Sequence, residues 1–543
     1  MNMRHINKIV STRLQAVLLG SALVFGLSCT KKFDQINTDK NTIATVTPAV
    51  LPFLFSHAED VATVNANNYQ IAQNLFADQY AQYFACEATY FASDRLFLNQ
   101  SWVGANFNPY YTDVLPQLQS IFANTDSASA EHALAEIIWV LAFQKATDYW
   151  GPIPYFSAGT VAPSVAYDPQ DKIYDDFFKR LTAAVAVLTP LAGTNAYGSY
   201  DLIYGGDVSK WIKFANTLRL RCALRVSKVD PARAKTEAEA AVAAGVMTVS
   251  PDDDALIKRS AVGGDNNGLS IMSDWGEFRM SATMASVLKG YQDPRIVDYF
   301  LPTATSGNPT PGIFANYRGI RNGLSVDSLG VAPNLAADNS HQGSRWSSTN
   351  VTVGGTIVGV SSYVATPQNV IESAEAYFLR AEGALLGWNM GGQTAQQLYE
   401  AGITQSMAQW GISGTAVTNY IASTKTPIAP GDAHQSPAVS NVPVAWSTDP
   451  DVQIQQIMTQ KWLGLFPDGL EAWADWRRSH TMKLYPVVSI DPRSLITDPN
   501  TMWVRRIPFL DTEKQTNGPA VTAAVSLLGG PDNELTPLWW DKN

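Results

Sequence analysis

Residues 371–410 read IESAEAYFLRAEGALLGWNMGGQTAQQLYEAGITQSMAQW. In the first half Ile371, Ala374, Phe378, Ala381, Leu385 and Trp388 step by three and four residues, which places them on one face of a helix. Asn389-Met-Gly-Gly breaks the run, and Tyr399, Ile403, Met407 and Trp410 restart it with the same step. Two amphipathic helices joined by a tight turn make a helical hairpin. Neither stripe is buried unless the two pack on each other and on a neighbour.

Small Gly383, small Ala395, aromatic Tyr399 and small Gly402 follow the spacing of a tetratricopeptide hairpin. Further stretches carry the same period. Glu131–Tyr149 sets Leu134, Ile137, Ile138, Leu141 and Lys145 on one stripe, and Trp150-Gly-Pro-Ile-Pro ends it because proline cannot continue a helix. Tyr174–Leu188 is a helix. Asp207–Ser227 follows, with Asp207 or Ser209 as its N-cap and Trp211, Ala215, Leu218 and Cys222 on its apolar face. Residues 229–250 give an alanine-rich helix, and Asp451–Phe466 with Gly469–Ser479 give another pair. The expected fold is mainly α: tetratricopeptide-like helical hairpins forming a scaffold.

Other stretches lack this period. Tyr69–Cys86 reads as one moderately amphipathic helix. Residues 87–113 scatter Tyr90, Phe91, Phe97, Trp102, Phe107, Tyr110 and Tyr111 among Asn99, Gln100, Asn106 and Asn108, and read as a loop rich in aromatics and amides. Residues 251–370 are dominated by Gly, Asn, Ser and Thr, with Val351–Val364 suggesting a small β-hairpin. A long irregular region inside a helical protein tends to carry function. Asp252-Asp253-Asp254 reads as a helix start. Gly263-Gly-Asp-Asn-Asn-Gly268 reads as a turn, because it lacks the alternating oxygen ligands of a calcium loop.

The first residues address the chain. Arg4, Lys8 and Arg13 precede an apolar run from Ala16 to Leu27, and the run ends in Ser28-Cys29. A basic flank followed by about a dozen apolar residues is an export signal, too short to span a bilayer, which takes roughly 20. Gly26-Leu27-Ser28-Cys29 resembles a lipobox whose cysteine is acylated, although its leucine stands two residues before the cysteine where three is usual. Residues 1–28 are therefore expected to be a lipoprotein signal peptide and residues 29–47 a lipidated tether. The rest, 48–543, is expected to form a single domain. Removing residues 1–28 takes away Arg4, Lys8 and Arg13 and lowers the formal net charge from −10 to −13. Such a chain does not seek nucleic acid electrostatically. Only 16% of residues are charged, against a typical ~25%, so its surface is largely neutral polar and aromatic. Cys86 and Cys222 are expected as buried free thiols.

Catalytic motifs are sparse. The six histidines are isolated, and no zinc spacing, nucleophile elbow or phosphate loop occurs. No catalytic residue, metal or cofactor is assigned. Arg219, Arg221 and Arg225 suit an anion, but arginines on an apolar helix more often pair with neighbouring carboxylates.

Several segments together are similar to the SusD/RagB-like outer-membrane lipoproteins, most of all to the SusD-like_2 branch. After Cys29 come FDQINTDKN, TDYWGPIPY (147–155), DLIYGGDVSKWIKFANTLRLRCALR (201–225), YQDPRIVDYF (291–300), NYRGIRNGL (316–324), ESAEAYFLRAEGALLGW (372–388), TQKWLGLFPDGLEAWADWRRS (459–479) and VRRIPF (504–509). The resemblance implies one SusD-like domain with an irregular ligand-facing insertion at about 251–370. It also implies a place on the cell surface, anchored to the outer membrane by lipid. There such a protein captures a nutrient for a SusC-like TonB-dependent transporter. That ligand is commonly an oligosaccharide and sometimes, as in RagB-type proteins, a peptide. A surface-anchored hydrolase and a pure docking scaffold are the competing classes. Lys31 and Lys32 depart from the acidic stretch that often accompanies export to the outer face.

A sugar ring has an apolar face and a hydroxylated rim, so its site needs flat rings flanked by amides and a few charges. Trp102 with Asn99, Gln100, Asn106 and Asn108 fits, as do Trp275 with Phe278 and Arg279, and Trp346 with Arg345. These are the candidate ligand residues. Trp211, Asn216, Arg219, Trp473, Trp476, Arg477 and Arg478 are read as architectural.

Overall fold

The helix Ala130–Trp150 runs through the centre of the fold, and from Ala133 onward almost every residue along it is buried. Ser129 caps it by accepting from the His132 amide, and Gly151, at φ +83°, turns the chain away before Pro152. A computed structural model of the chain describes residues 46–66, 68–305, 312–348, 351–353, 356–358 and 363–543. The chain divides into two units, Met1–Leu51 and Pro52–Asn543. The expected signal peptide 1–28, Cys29 and the expected tether as far as residue 45 lie outside the described residues.

The expected helices are present with shifts of a few residues. Gln170–Leu188 packs on Ala130–Trp150, and Val208–Arg225 on both Gln170–Leu188 and Pro231–Ala244. Asp207 caps Val208–Arg225 by accepting from the Ser209 and Lys210 amides. Trp211, Ala215, Leu218 and Cys222 are fully buried on its inner face. The 371–410 hairpin forms from Ser373–Leu385 and Ala395–Ala408, its second helix started by a Thr394/Gln397 capping box. Its small residues mark the close approaches. A Cβ at Gly402 would come 2.7 Å from the Phe378 ring, and one at Gly383 2.7 Å from Met390 Sδ. Pro450–Gly464 lies against both helices of this hairpin, and Gly469–Ser479 contacts Ala130–Trp150. Cys86 and Cys222 are buried and unbridged.

Charged side chains tie these helices together inside the core. Arg221 donates twice to Glu375, from Nε at 2.8 Å and Nη2 at 2.6 Å. Arg225 donates to Glu471 at 2.5 Å and sits 3.3 Å from Asp148. Arg478 joins Glu382 and Asp475. The arginines of Val208–Arg225 are thus partnered by carboxylates, as their helix position suggests. Arg477 differs: it donates to the carbonyls of Trp473 and Arg505 and lies 3.5 Å above the Trp473 ring.

Strands are few and short, three antiparallel pairs among the described residues: Phe84–Cys86 with Phe278–Met280, Ala255–Ile257 with Gln368–Ile371, and Val351–Val353 with Thr356–Val358. The last is the expected hairpin.

Three expectations are corrected. Tyr69–Cys86 is not one helix: a π-helical stretch, Gln70–Asp78, ends near Tyr80 and Phe84–Cys86 is a strand. The periodic apolar residues misled because nearly the whole segment is buried, polar Gln73 and Asn74 included. Residues 87–113 are not a loop throughout. Asn99 caps a helix at Gln100–Pro109 that continues through Tyr110–Val114 into Leu115–Asn124. Its buried stripe contains Asn106 beside Val103 and Phe107, and that amide hid the period. Asp252–Asp254 starts no helix of its own but precedes a strand. Asp254 instead accepts from the Ser373 amide at 2.7 Å, at the start of the Ser373–Leu385 helix 119 residues on. The 263–268 segment is a turn as expected, and Asn267 caps Gly268–Trp275.

Candidate functional site

The strand pair Phe84–Cys86/Phe278–Met280 carries an aromatic patch at one end. Cys86 stands opposite Phe278, and the Glu87 amide donates to the Glu277 carbonyl at 2.9 Å, so the ladder runs one step further. From there the chain on one side leads to Tyr90 and Phe91. On the other it leads back through Gly276, at φ +72°, to Trp275 at the C-terminus of its helix. The left-handed glycine makes that reversal possible.

Phe91 is the hinge of the patch. Its ring stacks on buried Phe278 at 6.1 Å, meets Trp102 edge-on at 5.6 Å, and meets Tyr90 edge-on at 4.7 Å. Tyr90 is 68% exposed and Trp275 55%, and Trp102 is half-buried. Single exposed rings are ordinary, but several gathered in one patch mark a binding surface. The polar groups beside them are fixed. Glu277 accepts from the Tyr90 hydroxyl and from Gln70 Nε2, and the hydrogen bond to that carboxylate, more than its charge, pushes the Tyr90 phenol up to about 12, so the phenol stays a donor. Arg279 donates to the carbonyls of Gly276, Phe278 and Ala336 and lies 3.6 Å from Glu87.

The structure brings together some of the expected residues and separates others. Trp102 and Phe278 meet through Phe91, and Arg279 braces the Gly276 turn that follows Trp275. Phe278 and Arg279 are buried, so they support the patch from behind. Trp346 is 1% exposed, packed against Trp410 and Phe466, each at 5.7 Å. Arg345 stacks on Trp410 at 4.3 Å. Trp346 is held in the core, and half-buried Arg345 is taken up by the Trp410 ring. Asn106 is buried in its helix, and Asn108 faces a separate groove with Tyr111, Pro154 and Asn517. Tyr90, Phe91, Gln70 and Glu277 were not singled out as site residues by the sequence. The signal available was the run Trp275-Gly-Glu-Phe278, in which a carboxylate stands between two aromatics beside a turn glycine. Among the described residues, no group of three or more His, Cys, Asp or Glu side chains is placed to hold a metal. No described helix is long and apolar enough to cross a membrane.

The comparisons agree on one family. A profile of the SusD-like family, described as SusD and RagB outer membrane lipoproteins, matches residues 33–541. Among solved structures, a chitin-binding SusD homologue from Flavobacterium johnsoniae is 38% identical with a TM-score of 0.79, the match covering 91% of this chain and 99% of that one. A SusD homologue from Bacteroides vulgatus is 30% identical (TM-score 0.79; 91% and 98% covered). One from Bacteroides uniformis is 29% identical (TM-score 0.78; 92% and 100% covered). No curated protein sequence matches. The chain belongs to the SusD-like family of outer membrane lipoproteins.

Proposed function

We propose that this protein is a non-catalytic, lipid-anchored binding protein of the cell surface that captures an oligosaccharide and passes it to a SusC-like TonB-dependent transporter in the outer membrane. The observation that carries the reading is the open aromatic patch of Tyr90, Trp102 and Trp275 with Glu277 beside it. Flat rings take the apolar faces of sugar rings, and the carboxylate and phenol take rim hydroxyls or acetamido groups. A relative 38% identical over nearly its whole length binds chitin, which favours β-linked N-acetylhexosamine chains as the ligand. Glu87 and Glu277 stand opposite each other on the ladder, yet each already has a partner, Arg279 for one and Tyr90 with Gln70 for the other. That favours binding over hydrolysis.

Trp275→Ala is expected to weaken binding of N-acetylglucosamine oligomers about tenfold, since one exposed ring contributes ~1 kcal/mol or somewhat more. Its melting temperature should stay within a degree or so of wild type, because the ring is half in solvent. Titration calorimetry against oligosaccharides and peptides checks this. Unchanged affinity removes the patch from the site, a preference for peptides turns the reading to a RagB-type protein, and release of reducing ends makes it a hydrolase. The anchor has its own test. Cys29→Ala is expected to abolish fatty-acid labelling and membrane partitioning, and a mutant still labelled refutes acylation at that residue.

A further inference from the structure

A cavity of about 270 Å³ lies apart from the patch, between the helix end at Gln79–Tyr80, the Ser93–Leu96 turn and the segment 473–504. Its walls are aromatic: Trp473, Trp476, Trp503 and Tyr485 line it. The Trp503 ring stacks on His480 at 4.1 Å, and Trp476 lies 4.6 Å from that imidazole. Around this wall is a concentration of polar groups without a hydrogen-bond partner in the protein. They are both amide atoms of Gln79, the Tyr80 hydroxyl, the Ser93 hydroxyl, His480 Nδ1 and Trp503 Nε1. Gln79 is only 3% exposed and Ser93 fully buried.

Buried polar groups are nearly always paired, because leaving one unpaired costs about 1–3 kcal/mol. Several gathered on one cavity wall therefore point to something the cavity takes. No hydrogen bond holds these groups where they are, so turning a polar atom toward a ligand breaks no hydrogen bond. The set is neutral, with hydroxyl, amide and indole donors and amide and imidazole acceptors. Burial holds the His480 imidazole below its ordinary range and so uncharged at neutral pH. The one carboxylate on the wall, Asp94, already accepts from the amides of Cys86 and Gly323 and from Asn322 Nδ2. Lys483 and Asn500 are exposed at the rim. The volume falls just below the ~300–1,000 Å³ of sites for drug-sized ligands, which suits one sugar ring.

We propose that this cavity is a second binding site, specific for a single neutral polyhydroxylated or acetamido-bearing ring of monosaccharide size, and distinct from the surface patch. It goes beyond the oligosaccharide reading and does not depend on it. One segment serves both places: Tyr90 and Phe91 face the patch, and Ser93 the cavity.

The test uses N-acetylglucosamine and glucose as probes, with glucuronate as a charged control, followed by saturation-transfer NMR and calorimetry on the whole protein. A neutral monosaccharide is expected to bind saturably in the millimolar range. Binding should weaken roughly tenfold in Gln79→Leu, which keeps the shape and removes the amide, and in Trp503→Phe, which keeps a ring and removes the N–H. It should be unchanged in Trp275→Ala. Oligosaccharide binding, scored separately, should be unchanged in Gln79→Leu and Trp503→Phe, so failure here and failure of the patch are told apart. Absence of any saturable monosaccharide signal would leave the cavity a water pocket and overturn the proposal. So would loss of the signal in Trp275→Ala, indifference to both cavity variants, or binding of glucuronate alone.

Discussion

Arg221→Met is expected to destabilise the protein by about 3–5 kcal/mol, the usual cost of breaking a buried ion pair from one side, and this is a large part of a typical ~5–15 kcal/mol total. Arg221 and Glu375 are each about 1% exposed, and the guanidinium meets the carboxylate with two hydrogen bonds. Removing the cation leaves Glu375 buried without its partner. Glu471, 3.6 Å from Arg221, keeps Arg225. The damage should therefore centre on the junction of Val208–Arg225 with Ser373–Leu385. Urea unfolding measures the loss. The paired variant Arg221→Met/Glu375→Met separates a charge effect from a packing effect. If the cost is the stranded carboxylate, the double variant recovers much of the stability, because apolar groups of similar volume replace a buried pair at little cost. A double variant as unstable as the single one would show that shape, not charge, decides this site.

Regular helices were legible because their burial is periodic. The 371–410 hairpin announces itself by apolar steps of three and four and by the small residues where its helices touch, and Gly402 against Phe378 is that contact in the structure. The arginines of Val208–Arg225 were legible as core for a related reason: a charge on an apolar face needs a partner. The segment 70–124 was harder. There the buried stripe includes Gln73, Asn74 and Asn106, so hydropathy no longer separates inside from outside. The patch was legible in part. Trp102 and Trp275 can be suspected from their polar neighbours, but Tyr90 and Glu277 meet only because strands 84–86 and 278–280 pair across about 190 residues. Trp346 shows the limit from the other side, since its Arg, Ser and Thr neighbours in sequence say nothing of the Trp410 and Phe466 that enclose it.

The other large effect is on the pH dependence of stability, through Asp78. This carboxyl is fully buried and accepts from Tyr69 Oη at 3.1 Å, Gln73 Nε2 at 3.0 Å and Asn74 Nδ2 at 3.4 Å. Burial outweighs those donors and, with Asp468 nearby, pushes it from 3.8 up to about 7. An unfolded chain releases this proton near pH 4, whereas the folded chain keeps it to about pH 7. Between those values the folded state binds more protons, so its stability falls as pH rises, and the fall is complete above pH 7. The span corresponds to roughly 4 kcal/mol. Asp94, raised to about 6 by burial, acts in the same direction. Lys145, which burial holds down to about 8, acts above this window. Asp78→Asn isolates the contribution. Its Oδ1 can still accept from Gln73, and its Nδ2 can donate to the Tyr69 oxygen, which also serves as an acceptor. Wild type minus variant is thus expected to lose stability steadily from pH 4 to 7 and then level off, in urea midpoints taken at half-unit steps. Parallel curves across that interval would mean that Asp78 ionises alike in the folded and unfolded chain, and that the buried carboxyl has found a counter-charge.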